Sequence, residues 1–309
     1  MLRTGLPRRA PAENAALPDL LTNLPGTATM AYHPPENYQD PEGWVGEDVF
    51  FHGADGTWRR LQLEDLGVPE SAWPGPDTLG AGDLSPDGRW WAVESEAGVI
   101  VVNLASGSTR LIDLPGRYMN HAKWLPDSSA FVVLTFGAGR DVSVKVTLEG
   151  SVRRVPYSQS EVGFEPDGTP VSVESTKDGA RVVEWRGRDT VVRGAVTPAV
   201  ELLGRAVAPQ VTEKALGFSA GKGKPPPYNL VTVDSASLTV ESALRLPERT
   251  QPVTTVQGWL DADTLLIDTK THVVAWRPEE GVFYRITDVP DQEPGTYWSV
   301  SVAADALLN

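Results

Sequence analysis

The chain contains no cysteine among its 309 residues. Disulfides, thiolate metal ligands and thiol nucleophiles are therefore all excluded. Nowhere does it carry an apolar run long enough, about 18 residues or more, to cross a bilayer as a helix. Positive charge is in the minority, with 27 Lys+Arg against 41 Asp+Glu and a net charge of -14. Such a surface repels phosphate backbones and anionic lipid unless a basic patch is segregated, so nucleic acid is not an expected partner. Helix-type apolar periodicity is scarce as well. What is present instead is Gly 29, Pro 26 and Trp 10, a composition that favours many short strands joined by tight turns.

Residues 84–115, LSPDGRWWAVESEAGVIVVNLASGSTRLIDLP, read as four short strands. The first ends in the turn Pro86-Asp87-Gly88, and Arg89–Glu94, Val99–Leu104 and Thr109–Leu114 follow. The pattern recurs: Pro86-Asp87, Pro126-Asp127 and Pro166-Asp167 stand 40 residues apart, and each is followed by a strand and a second hairpin. A decayed copy runs through Trp259-Leu260-Asp261-Ala262-Asp263. Between the copies, a longer unit is swollen by the insertion 220–228. Four strands in about 40 residues is the period of a β-propeller blade. In the turn, Pro presets φ, Asp bonds the backbone two residues on, and Gly accepts positive φ. These aspartates are read as turn residues.

The expected fold is all-β, a propeller of four-stranded blades with residues 27–309 as one domain behind an extended tail or linker, 1–26. Residues 297–309 align with a blade's innermost strand but stop there. Thr27–Tyr32, Val49–His52 and Thr57–Leu63 supply the other three strands, the last two joined by the Asp55-Gly56 turn. A blade built from both termini gives six blades and hides the sheet edges. The alternative is seven, with Thr27–Tyr32 innermost in the first. Leu17–Leu24 is read as one helical turn at most, and 33–43 as a loop, because Pro34-Pro35 cannot donate to a ladder.

The motif L-S-P-D-G-R-W-W-A-V with the following V-I-V-V-N-L-A-S-G-S-T-R hairpin resembles the TolB-like propeller repeat, also found in the propeller domains of dipeptidyl-peptidase and prolyl-oligopeptidase relatives. The likeness covers residues 80–195 well and 200–290 loosely. Tail, propeller and acidic charge together also resemble actinobacterial extracytoplasmic propeller proteins of unknown role. The resemblance implies a fold and little chemistry, because one scaffold serves binding proteins, gating domains and lyases. The hydrolase domain of the peptidase relatives has no counterpart here.

Catalytic motifs fail on context. Gly217-Phe218-Ser219-Ala220-Gly221 matches G-x-S-x-G, yet Lys222-Gly223-Lys224-Pro225-Pro226-Pro227 comes after it, where a nucleophile elbow requires a helix. No pair among His33, His52, His121 and His272 has metal spacing, and Asp261-x-Asp263 lacks the glycine and terminal glutamate of a calcium loop. No metal, cofactor or catalytic residue is expected. The connections between blades, and those between second and third strands, are expected on one face around a channel mouth. They collect Arg117, Tyr118, Asn120, His121, Arg140, Lys222, Lys224, Tyr228, Lys270, His272, Tyr297 and Trp298. Cationic, polar and aromatic side chains around such a funnel suit recognition of a protein, peptide or glycan. The expectation is thus a non-catalytic, monomeric, bacterial binding module. Two alternatives stand beside it: a propeller lyase or hydrolase with a channel site, and a membrane-tethered sensory ectodomain. The opening MLRTGLPRRAPAEN has no apolar core of a signal peptide. It fits a cytoplasmic tail and the linker behind a removed anchor equally, which leaves localisation open.

Overall fold

A computed structural model describes residues 4–12, 15–37, 48–69, 82–95, 97–118, 121–137, 140–200, 210–219, 230–244, 255–269, 272–288 and 296–307. The chain opens with β1 (Ala28–Asn37), β2 (Asp48–Gly53) and β3 (Trp58–Gln62). A second sheet holds β4 (Asp83–Leu84), β5 (Trp90–Ser95), β6 (Gly98–Asn103) and β7 (Thr109–Asp113). The third is built of β8 (Arg117–Tyr118), β9 (Lys123–Trp124), β10 (Ala130–Gly137), β11 (Arg140–Thr147) and β12 (Val152–Arg154). The fourth comprises β13 (Val162–Phe164), β14 (Pro170–Thr176), β15 (Gly179–Arg186) and β16 (Asp189–Ala195). Then come β17 (Gln210–Val211), β18 (Ala215–Ser219), β19 (Leu230–Asp234) and β20 (Val240–Leu244). The sixth set is β21 (Thr255–Asp261), β22 (Thr264–Asp268), β23 (His272–Arg277) and β24 (Val282–Asp288). Last, β25 (Thr296–Val302) pairs antiparallel with β1, so the first sheet runs β25-β1-β2-β3. Six sheets of this order make a six-bladed β-propeller.

The termini therefore close the fold within one sheet, as the sequence predicts. The seven-blade alternative is corrected: Thr27–Tyr32 falls in or beside β1, which lies between β25 and β2 and is not a first strand. Antiparallel pairing of Met30 with Val302 and of Tyr32 with Val300 satisfies the edge that a seventh sheet would need. The expected loop at 33–43 is corrected in its first part. β1 continues to Asn37, and its register against β25 shifts between His33 and Glu36, where Pro34 and Pro35 stand. A ladder irregularity is where a residue without an N–H can sit in a strand.

Two compact units divide the chain, Met1–Arg154 with Lys270–Val273 and Ile286–Asn309, and Val155–Thr269 with Val274–Arg285. In the first, alternate residues of β5 and β6 feed different cores. Ile100 and Val102 of β6 join Phe51, Leu61 and Trp91, while Val99 and Val101 join Trp124, Phe131, Val133 and Val144. Strands buried on both faces read as unbroken apolar runs, which is why G-V-I-V-V shows no alternation. Phe51 meets Trp91 edge-on at 5.3 Å. The second unit repeats the logic. Leu216 and Phe218 of β18 pack with Val171, Val173 and Val231, whereas Ala215 packs with Leu230, Leu265 and Trp276.

The recurrent turn works as its residues imply. The Asp87, Asp127 and Asp167 carboxylates each accept the backbone N–H two residues on, at 3.1, 3.0 and 2.9 Å, and Asp261 does the same for Asp263 at 2.9 Å. Those bonds, with the Ser129 hydroxyl foremost for Asp127 and the Thr169 backbone for Asp167, hold both carboxyls below the usual aspartate range.

The N-terminal segment is tied down at two places. Arg8 and Ala10 bond the backbone of Asp288 at the end of β24, at 2.9 and 2.8 Å. Pro18 and Leu20 bond Arg60 on the outer edge of β3, at 2.9 and 2.8 Å, and Leu20 is completely buried. Asp19 then caps the single turn expected at 17–24, accepting the Thr22 N–H at 2.8 Å.

Candidate functional site

The third blade's first strand is broken, and polar groups gather at the break. β8 pairs Tyr118 with Thr135, and β9 pairs Lys123 with Val132. Four residues on one side thus face two on the other. An irregularity of this kind re-aims side chains, and proteins place such features beside binding and catalytic sites. His121 lies in the interrupted stretch.

Downstream of the break the strand's alternation is strict. Ala122 and Trp124 are buried in the apolar cluster, Trp124 at 4.7 Å from Phe131. His121 and Lys123 consequently belong to the other set of alternating positions. Asp83, at the start of β4, organises them. Its carboxylate accepts the Ala122 N–H at 2.5 Å and lies 3.2 Å from His121 Nδ1, and its carbonyl accepts Trp124 Nε1 at 3.0 Å. Next to it, the Leu84 N–H donates to Ser301 Oγ of β25 at 2.9 Å. Asp83 and its neighbour thereby join the first strands of three successive blades.

The chemistry is set by these contacts. An ionised carboxylate only accepts, so the Asp83 bond requires the proton on His121 Nδ1 and leaves Nε2 the acceptor-type nitrogen of a neutral ring. The imidazole is fixed in direction yet open to solvent, with 57% of the side chain exposed. Beside it, burial pushes the Lys123 ammonium down to about 8, against the attraction of Asp83, which raises it. One oriented imidazole, one amine lowered by burial and one carboxylate make a site able to form directed hydrogen bonds with polar groups.

The other expected residues are dispersed. Arg117 and Tyr118 form β8 opposite the end of β10, and Arg140 opens β11 opposite Gly137, so their backbones flank the same end of the third blade. Tyr297 and Trp298 lie in β25, with Tyr297 opposite Glu36. Asn120, Lys222, Lys224, Tyr228 and Lys270 lie outside the described residues. His272 starts β23, its Nε2 3.8 Å from Asp288 at the end of β24, the residue to which the N-terminal segment is also bonded. The histidine pair expected at one mouth thus divides between two carboxylates, Asp83 and Asp288. Of the G-x-S-x-G motif, Gly217 to Ser219 end β18, and Ala220 and Gly221 lie outside the described residues.

Asp83 and Lys123 were not among the residues singled out from the sequence. The signal for them was present: they stand 40 residues apart, one at each copy of the repeat, just before the Leu84 and Trp124 that begin the matched flanks. The third copy has Gly163 there, so charge at this column is confined to the first two copies.

No known family profile matches the chain, and no curated protein sequence matches it either. Several solved structures are similar in fold. A chain of a nidogen/laminin complex has a TM-score of 0.52 at 8% identity, covering 89% of this chain and 99% of that one. An oligogalacturonate lyase in complex with manganese has 0.50 at 14%, covering 86% and 81%. A putative TolB from Agrobacterium tumefaciens is looser, 0.38 at 12%, covering 89% and 98%. At these identities the likeness is one of fold, and the fold is shared by an enzyme and by a member of a protein complex.

Proposed function

We propose that this propeller is a binding module that recognises a protein, peptide or glycan through the broken first strand of its third blade and the connections beside it. The observation that carries the reading is the solvent-open imidazole of His121, fixed by Asp83 at an interruption of an otherwise regular repeat. Recognition sites are commonly polar groups held in fixed directions on a rigid scaffold. The Asp83 carboxylate supplies the fixed direction, and the buried cluster around Trp124 supplies the rigidity.

The test is direct. The purified chain is applied to peptide and glycan arrays, and each bound probe is re-measured with His121→Ala. Loss of one good hydrogen bond weakens binding by up to about tenfold, while the exposed position leaves the melting temperature unchanged. Probes held equally well by both proteins would place recognition elsewhere.

A catalytic reading has one observation in its favour, the Lys123 amine that burial brings down to about 8 against the attraction of Asp83. It calls for turnover of a bound probe that Lys123→Met abolishes without loss of binding. Binding unaccompanied by turnover leaves the first reading alone.

A further inference from the structure

Lys123 is a half-buried amine whose counter-charge is engaged elsewhere. It stands just downstream of the break in the third blade's first strand, where β9 pairs with β10 over two residues. Its neighbours Ala122 and Trp124 are fixed in the apolar cluster with Phe131, Val133 and Val144. Lys123 makes no hydrogen bond and no ion pair with any described residue. Asp83 attracts it, but both Asp83 oxygens are directed to other donors, Oδ2 to the Ala122 N–H at 2.5 Å and Oδ1 to His121 Nδ1 at 3.2 Å. Lys177, in contrast, lies 3.9 Å from Asp178 with 89% of its side chain exposed, and Lys214 is exposed as well.

An ammonium drawn partly out of water without a bonded acceptor is held at a cost, and losing the charge relieves it. The fall of this amine to about 8 expresses that relief. Desolvation of this kind is what makes a lysine a nucleophile toward carbonyl carbon.

We propose that Lys123 is a covalent docking site for a small aldehyde or ketone, which it holds as a reversible imine. The ammonium first gives one proton to solvent. The neutral nitrogen then bonds to the carbonyl carbon as the C=O π bond opens. The two remaining amine hydrogens leave with the carbonyl oxygen as water, and a C=N bond takes their place. No oxidant or reductant is consumed. The product suits the position better than the reactant, because an imine nitrogen can stay neutral where an ammonium cannot. Asp83 keeps its bonds to Ala122 and His121 throughout, and a small carbonyl compound is specified because the amine is only half exposed between two fixed neighbours. A ligand held by hydrogen bonds to His121 needs no bond to Lys123, so either reading can fail without the other.

The purified chain is treated with benzaldehyde and cyanoborohydride, which fixes each imine as a stable secondary amine, and the labelled lysines are located by peptide mass spectrometry. No thiol competes for the aldehyde, since the chain has no cysteine. At pH 7 about a tenth of an amine titrating near 8 is neutral, against well under about a hundredth of an ordinary lysine. Lys123 should therefore label about tenfold or more faster than Lys177 and Lys214. Its rate should climb with pH and level off above about 8. Lys123→Arg keeps a cation and should remove the fast-labelled peptide alone, and in urea all lysines should label alike. Labelling of Lys123 no faster than of Lys177 and Lys214 at pH 7, a fast-labelled peptide that persists in Lys123→Arg, or an advantage that survives in urea would each overturn the proposal.

Discussion

Gly88 and Gly168 occupy the same turn in two copies of the repeat, both with positive φ, +68° and +84°, yet their surroundings differ. A Cβ on Gly88 would fall 2.1 Å from the Ala28 carbonyl oxygen of β1, whereas one on Gly168 would meet nothing within 4 Å. Gly168→Ala is therefore expected to cost only the left-handed strain, about 1–2 kcal/mol, and Gly88→Ala clearly more, about 3 kcal/mol or above, as a steric insertion against backbone. Urea unfolding of both variants checks this, and equal losses would refute it. The sequence makes the turn legible twice over; that only one copy is pressed against a neighbouring strand is a long-range fact no local pattern carries. Lys123 makes the same point with charge. Its folded pKa, about 8, is below the unfolded value, so between about pH 8 and 10.5 the unfolded chain binds more protons and stability rises with pH. Below about pH 8 the full penalty is present, at most about 3 kcal/mol for a shift of this size. Lys123→Met should stabilise the protein at pH 7 and flatten that alkaline rise. Parallel pH profiles for the two proteins would show that the amine is not held at a cost.

Among the elements, the N-terminal segment departs furthest from its appearance in the sequence. Its Pro-, Ala- and charge-rich composition carries no strand period, and only position, not pattern, marks Leu20 as part of a core with Leu61, Trp91 and Leu104. The Arg59 guanidinium, buried at 3% exposure, reaches the Asn23 carbonyl at 2.5 Å and binds Asp55 through two nitrogens at 3.1 and 2.6 Å. It also holds the Asp55 carboxyl down at about 2. Leu20→Ala should cost about 2–5 kcal/mol, the range for a fully buried leucine, measurable by thermal unfolding; a loss under about 1 kcal/mol would mean the segment is only laid against the surface. Strand periodicity found most of the elements of the repeat because both faces of a blade strand are apolar or alternate cleanly. It missed the continuation of β1 through Pro34 and Pro35, and the split of β8 from β9, for one reason: ladder irregularities add residues without changing composition.

At the level of the whole chain, the six sheets follow from the repeat together with the truncated copy at 297–309. The arithmetic of strands, one at the C-terminus and three near the N-terminus, favours this closure over the seven-blade alternative, and the pairing of β25 with β1 decides it. The groups that surround the closure were not readable in the same way. Asp305 follows β25, and burial, with Asp87 adding to it, raises its carboxyl above the usual range, so this group favours the folded state more as pH falls. The pairing of β1 with β25 joins residues 28–37 to residues 296–302. During synthesis the chain emerges from its N-terminus, so β1, β2 and β3 reach solution well before their fourth strand exists. They must wait, with the inner edge of β1 open, through the manufacture of five other sheets. The first blade begun is thus the last completed, and during that interval the nascent chain offers a strand edge to any neighbour on the same messenger, a period in which a holding chaperone has most to protect.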